Sequence, residues 1–252
     1  DTTPNSALYR DGARALQDAL DSRRIADVLS EFTVHAELNG EDNELVQAQS
    51  PEWISTVDAE GWPDVSYKGG GVGFVQVVSP TELRIPSYDG NGMMRTMGNI
   101  EDTGKVALLF IDTGRPWRMR VHGTARVSIE AADVEPHHGA EAVMIVTIGR
   151  VFPNCGRYIH EPDEISTFVP VEGHQPPIPE WKRMELLRQA RPQADQDRLA
   201  DEQAEDQWPS WELCLGIQRI GRSAPLHSAW IPRDDFVAIR LRRTLLAQLP
   251  TG

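Results

Sequence analysis

Trp62-Pro-Asp-Val-Ser-Tyr-Lys-Gly-Gly-Gly71, an apolar run from Val72 to Val78, and Ile85-Pro-Ser-Tyr-Asp-Gly-Asn-Gly-Met-Met-Arg-Thr-Met-Gly-Asn-Ile100 decide the fold of this chain. Two strand-like segments end in two polar, glycine-rich elements, and the second of these opens a short helix. Glycine lets a backbone approach a ligand closely, and a helix start presents unpaired N–H groups to an anion. The arrangement suits a phosphate-bearing cofactor. Its spacing is neither a Walker loop nor a dinucleotide fingerprint, so on pattern alone two turns of a β-protein carry more weight.

Strand signals surround this stretch. Trp53–Val57 and Val65–Lys68 flank the turn Asp58-Ala-Glu-Gly61, and Gly69-Gly70-Gly71 breaks or bulges the sheet. Val72–Val78 and Glu82–Ile85 follow, then a helix over Asn91–Ile100. Lys105–Ile111 is an almost continuous apolar run, as expected of a buried strand. From Trp117 to Ile129 the chain alternates, with Trp117, Met119 and Val121 on one face and Arg118, Arg120 and His122 on the other. Ala131–Gly139 reads as a loop or a turn of helix, and Ala142–Phe152 as the last long strand. About six strands with links too short for repeated crossover helices predict an antiparallel sheet closing into a barrel. The fold class is mainly β with flanking helices (α+β).

Outside the sheet, residues 1–6 read as a frayed end, and two helices are expected between Ala7 and Phe32, the second capped near Asp21-Ser22. A further short helix is expected at Asp42–Gln49. Pro170 to Pro179 is proline-rich and Glu180–Gln189 is helical in pattern. Residues 195–206 are acidic, and a tail carrying Trp208, Trp211 and Trp230 ends in an apolar-basic run from Phe236 to Leu249. The expected division is a helical preface (1–50), a β domain (51–160) and a C-terminal extension (161–252).

Net charge is −13 over 252 residues. A nucleic-acid binder needs a basic footprint, and none is present; anionic membranes are disfavoured for the same reason. No apolar run is long enough to span a bilayer, and no signal-peptide pattern opens the sequence. Cys155 and Cys214 lie far apart, which is no disulfide framework and fits a reducing cytoplasm.

The run from Phe74 through Ile100, Val106-Ala-Leu-Leu-Phe-Ile-Asp112 and Arg118-Met-Arg-Val-His-Gly-Thr-Ala-Arg-Val127 resemble the pyridoxamine 5′-phosphate oxidase-related proteins. Residues 61–69, 87–93 and 152–160, with Gly12-Ala-Arg-Ala-Leu-Gln17 in the preface, are similar to one branch of that family. The resemblance implies an FMN-binding split β-barrel and a homodimer with flavin sites at the subunit interface. It also implies that phosphate is held from the strand-to-helix segment and that the ring edge meets the strand Val65–Lys68. The founding oxidases carry an adjacent Arg-Lys pair where this chain has Asn91 and Gly92. That removes two charge-assisted contacts, which are the strong kind for a phosphate. FMN is the expected cofactor, with the deazaflavin F420 or haem as alternatives.

On this footing the cofactor-binding candidates are Ser66, Tyr67, Lys68, Ser87, Tyr88, Asn91, Gly92, Met93 and Arg95. Arg118, Arg120, Arg157, Tyr158, His160 and Trp181 are candidates for a substrate pocket. Each has a plainer reading: a helix cap for Ser87 and Asn91, a solvated strand face for Lys68, Arg118 and Arg120, and interface packing for Trp181. His122 reads first as a hydrogen-bonded strand histidine. The adjacent His137 and His138 point apart, so no metal site is expected. No catalytic residue is identifiable. The expected function is an FMN-dependent oxidoreductase acting on a small organic molecule, possible electron donors including NAD(P)H. The alternatives are a non-catalytic flavin, F420 or haem carrier or sensor, and a scaffold that has lost its cofactor.

Overall fold

The computed structural model describes residues 8–112, 117–160 and 176–201. The described residues form two compact units, one from residue 8 with 33–112 and 117–160 and the other from residues 9–32 with 176–201. The N-terminal end, residues 170–175 of the proline-rich stretch, the acidic residues beyond Asp201 and the tryptophan-bearing tail with Cys214 lie outside the described residues.

The first unit holds α3 (Gly40–Ala48), α4 (Arg95–Thr103), α5 (Ala131–Val134) and seven strands. These are β1 (Pro51–Val57), β2 (Pro63–Gly69), β3 (Gln76–Ser79), β4 (Glu82–Tyr88), β5 (Lys105–Asp112), β6 (Trp117–Ser128) and β7 (Ala140–Asn154). They form one sheet in the order β2-β1-β5-β6-β7-β4-β3, antiparallel at every pairing. The α+β class expected from the sequence is therefore the observed one, and each of the seven strands overlaps a strand segment read from the pattern.

Local chemistry sets the turns. Between β1 and β2, Asp58 Oδ1 accepts from the amides of Glu60 and Trp62 at 3.0 and 2.8 Å, and Gly61 takes φ +91°. This Asx-type turn fixes the β1–β2 register. Asn39 and Asp42 form a capping box at the start of α3, each side chain accepting from the other's amide at 3.0 Å. Asp42 is fully buried and also meets His35 Nε2 at 2.7 Å.

Two strand-to-turn expectations are corrected. β3 begins at Gln76, not Val72, because Gly73 takes φ +77° and the chain turns there. Val72 is exposed while Phe74 and Val75 are buried. Helix α4 begins at Arg95, not Asn91. Asn91 Oδ1 accepts from the Met93 amide at 3.0 Å, and Gly92 and Met94 both lie in the left-handed region, at φ +72° and +52°. Residues in the left-handed region cannot extend a right-handed helix.

Long β6 and β7 carry the sheet's middle. Their register slips between His122 and Gly123. A Cβ on Gly123 would lie 2.1 Å from the Thr147 carbonyl oxygen, so only glycine fits this crossing. The core is built from inward residues of the sheet, among them Ile54, Leu83, Ile85, Leu108, Phe110, Met119, Val121, Met144 and Val146, with Leu45 and Val46 of α3 and Ile100 of α4.

The second unit contains α1 (Asp11–Ala19), α2 (Arg23–Thr33, whose last residue belongs to the first unit), α6 (Glu180–Arg183) and α7 (Gln193–Asp201). The helix expected over Glu180–Gln189 stops at Arg183 and resumes as a 3₁₀ turn at Glu185–Leu187. Buried Arg191 donates to the carbonyls of Lys182, Arg183 and Met184, which fills acceptors left open where α6 ends. The compact units thus group α3 with the sheet, and α1 and α2 with residues from the 161–252 stretch. Among the described residues no helix is long and apolar enough to cross a membrane.

Candidate functional site

Strand β2 alternates in exposure along its length. Asp64, Ser66 and Lys68 turn to one face, and Val65 and Tyr67 are largely exposed on the other. Opposite β2, strand β4 ends in buried Ser87 and exposed Tyr88. The Asn91 turn then delivers the chain to the first turn of α4, where Thr96 is buried.

These segments line a half-open cavity of about 270 Å³. Of the nine cofactor candidates, eight line it: Ser66, Lys68, Ser87, Tyr88, Asn91, Gly92, Met93 and Arg95. Tyr67 does not. It points away with the opposite phase of β2 and packs edge-on against Trp53, ring centroids 5.5 Å apart. Met93 lines the cavity, but its amide is committed to Asn91. Asp64, Thr96 and Met97 also line the cavity and were not anticipated. Alternation with Ser66 and Lys68 is the signal that identifies Asp64; Thr96 and Met97 had none, because the helix start was misplaced.

The cavity's charges are few. Lys68 is half-buried, and burial lowers its pKa, opposed by Glu52 and then Asp64. Arg95 is about half exposed and stands 3.8 Å from Asp64 and 4.0 Å from Asp58, too far for tight pairing. Two cations against one lining carboxylate make a site for an anion. Ser87 and Thr96 add hydroxyl donors, and Met94 holds a left-handed conformation at the lip. A non-glycine residue in that region stores strain of order 1–3 kcal/mol.

Behind Lys68 lies a residue the sequence reading missed. The register pairs Glu52 directly with Lys68. Glu52 is fully buried, and neither carboxylate oxygen has a hydrogen-bond partner among the described residues. Burial pushes its carboxyl up to about 8, with Lys68 pulling the other way. The signal was a glutamate in phase with inward Ile54 and Thr56, visible only once β1 is started at Pro51.

The substrate-pocket candidates lie elsewhere. Cross-strand pairing runs from Tyr67 through Trp53 and Leu109 to Arg120 and Phe152. Directly paired residues share a sheet face, so Arg118 and Arg120 occupy the face opposite Lys68. Arg120 donates to Asn154 Oδ1. His122 stands edge-on to Phe152 at 5.0 Å, and burial, then Arg150 and Arg120, lower its pKa. Arg157 stacks over Tyr158 at 5.5 Å in the segment after β7, which also holds His160 and partly exposed Cys155. None of these residues lines the cavity. Trp181 is buried in the second unit. Among the described residues no group of three or more His, Cys, Asp or Glu is placed to hold a metal ion.

Residues 38–154 match the family model described as pyridoxamine 5′-phosphate oxidase, a span containing α3 to α5 and all seven strands. No curated protein matches the sequence. Among solved structures, Group A Streptococcus HupZ is 26% identical, with 46% of this chain and 93% of that chain covered and a TM-score of 0.40. An FMN-binding protein from Syntrophomonas wolfei is 12% identical, with 55% and 96% covered and a TM-score of 0.36. An F420 reductase is 16% identical, with 43% and 94% covered and a TM-score of 0.32. Over residues 38–154 the chain is thus similar to the pyridoxamine 5′-phosphate oxidase family, the family its sequence resembles.

Proposed function

We propose that the cavity between β2, β4 and the start of α4 binds FMN, and that the protein is a homodimeric flavin-dependent oxidoreductase acting on a small organic molecule. The observation that carries this reading is the convergence of Lys68, Arg95, Ser87 and Thr96 on one cavity in a chain of net charge −13. Cations and hydroxyls are the donor set a phosphate monoester requires. In this reading Ser87, Thr96 and the Gly92 amide hold the phosphate. Lys68 adds its charge to the phosphate from β2, and Ser66 lies along the part of that strand that meets the ring. FMN, when bound, supplies transfer of a hydride equivalent between a donor such as NAD(P)H and an acceptor. The protein supplies orientation and charge.

The neutral pair Asn91-Gly92 supports a second reading, a carrier or sensor that binds the cofactor without turnover. Both FMN and F420 bring the phosphate that the cavity's donors suit. Titration of the protein with FMN, followed by anaerobic addition of NADPH or NADH, tests the choice. The enzyme reading expects tight FMN binding that weakens at least tenfold in Lys68→Met, and bleaching of the flavin by a nicotinamide. Binding without reduction by any donor favours the carrier. Unchanged binding in both Lys68→Met and Ser87→Ala refutes the cavity as the site.

A further inference from the structure

Glu52 and Lys68 are cross-strand neighbours on the inward face of β1 and β2. One is sealed inside and the other lines the cavity. A buried carboxyl with no hydrogen-bond donor is held in its neutral form, because burial penalises the charge. Among the described residues the surroundings offer little else. From β2 the titratable groups on this face are Lys68 and Asp64. From β5 come the buried side chains Leu108 and Phe110. From α4, Asn99 is bonded to Thr56, and Arg95 reaches toward Asp64 and Asp58. Lys68 is the charged group that acts on Glu52, and Glu52 is the larger of the two carboxylate influences on Lys68.

We propose that Glu52 is a positioning residue acting through Lys68. While its carboxyl is protonated, the Lys68 ammonium gives its whole charge to an anionic group in the cavity; once the carboxyl ionises, it claims that charge. The inference rests on the proposed reading of the cavity as a phosphate site. It makes anion affinity a function of pH in a range where the ligand itself does not change, since a phosphate monoester is already fully ionised above about pH 7. Burial places the Glu52 transition near 8. An added full charge one side chain away changes affinity by about tenfold.

The test is FMN affinity of the full chain, read by flavin fluorescence quenching between pH 7 and 9. Wild type is expected to lose about fivefold in affinity over this range, and Glu52→Gln to hold its pH 7 affinity to higher pH. Parallel profiles overturn the inference while leaving the FMN reading intact. Calorimetry of wild type alone near pH 8.5, in two buffers of different ionisation enthalpy, is expected to show proton uptake on FMN binding; no uptake overturns the inference without relying on a variant. If wild type binds no FMN at any pH, the cavity reading fails. Competitive acetic anhydride labelling then decides the coupling: Lys68 is expected to become reactive at lower pH in Glu52→Gln than in wild type, and equal profiles overturn it.

Discussion

Replacing Glu52 with glutamine should flatten the dependence of folding stability on pH. A glutamate carboxyl ordinarily titrates at 4.5, and burial at the β1–β2 pairing pushes Glu52 up to about 8. Between those values the folded chain holds a proton that the unfolded chain has released. Stability therefore falls as pH rises from about 4.5 to about 8, at roughly 1.4 kcal/mol per pH unit. By pH 7 the expected loss is ~3 kcal/mol, a large fraction of a typical domain's stability. Glutamine is neutral at every pH and nearly the same shape, so it mimics the protonated form. Urea unfolding at pH 5, 6, 7 and 8 gives the comparison, and contributions from groups that do not interact with Glu52 cancel in the difference. The variant should be more stable by less than about 1 kcal/mol at pH 5 and by ~3 kcal/mol at pH 7. Parallel curves would mean that Glu52 ionises normally in the folded state, and the account of the buried pair would be wrong.

Three further outcomes follow from the packing. Asp42→Ala removes the buried acceptor of both the Asn39 amide and His35, and should cost about 3 kcal/mol in urea unfolding; a loss under about 1 kcal/mol would show that α3 does not depend on its cap. Gly123→Ala forces a Cβ to 2.1 Å from the Thr147 carbonyl oxygen, whereas Gly71 has open space around it; the first should lose about 3 kcal/mol or fail to fold, and Gly71→Ala should unfold within about 1 kcal/mol of wild type. Asn99→Ala breaks the buried 2.9 Å bond to Thr56 and should cost about 1–3 kcal/mol, a loss that thermal unfolding should show shrinking when Thr56→Val is added, because no orphaned hydroxyl remains.

What the sequence could disclose was set by how local the information is. The alternation of Trp117 to Val121 against Arg118 to His122 is written in adjacent residues, and β6 shows it. The facing of β2 is equally local, and the phase that Tyr67 has opposite to Ser66 and Lys68 is written in the sequence. Where α4 begins depends on a side chain capping its own turn, at Asn91, and on the left-handed Met94, a conformation no propensity favours. The position of Arg118 and Arg120 is a different matter. Which sheet face they share with Tyr67 or Lys68 follows from pairings across β1, β5 and β6, and sequence alone contains no register. Glu52 was missed at a strand boundary: beginning β1 at Trp53 leaves the glutamate in a loop, while beginning it at Pro51 places it in the core.

The central claim is that the Lys68–Ser87–Arg95 cavity holds a phosphate-bearing flavin. The visible spectrum of the purified full chain, with identification of whatever acid releases from it, tests this most directly. The account predicts a yellow protein that releases FMN and loses its colour in Lys68→Met. A colourless protein that takes up neither added FMN nor added F420 would contradict it.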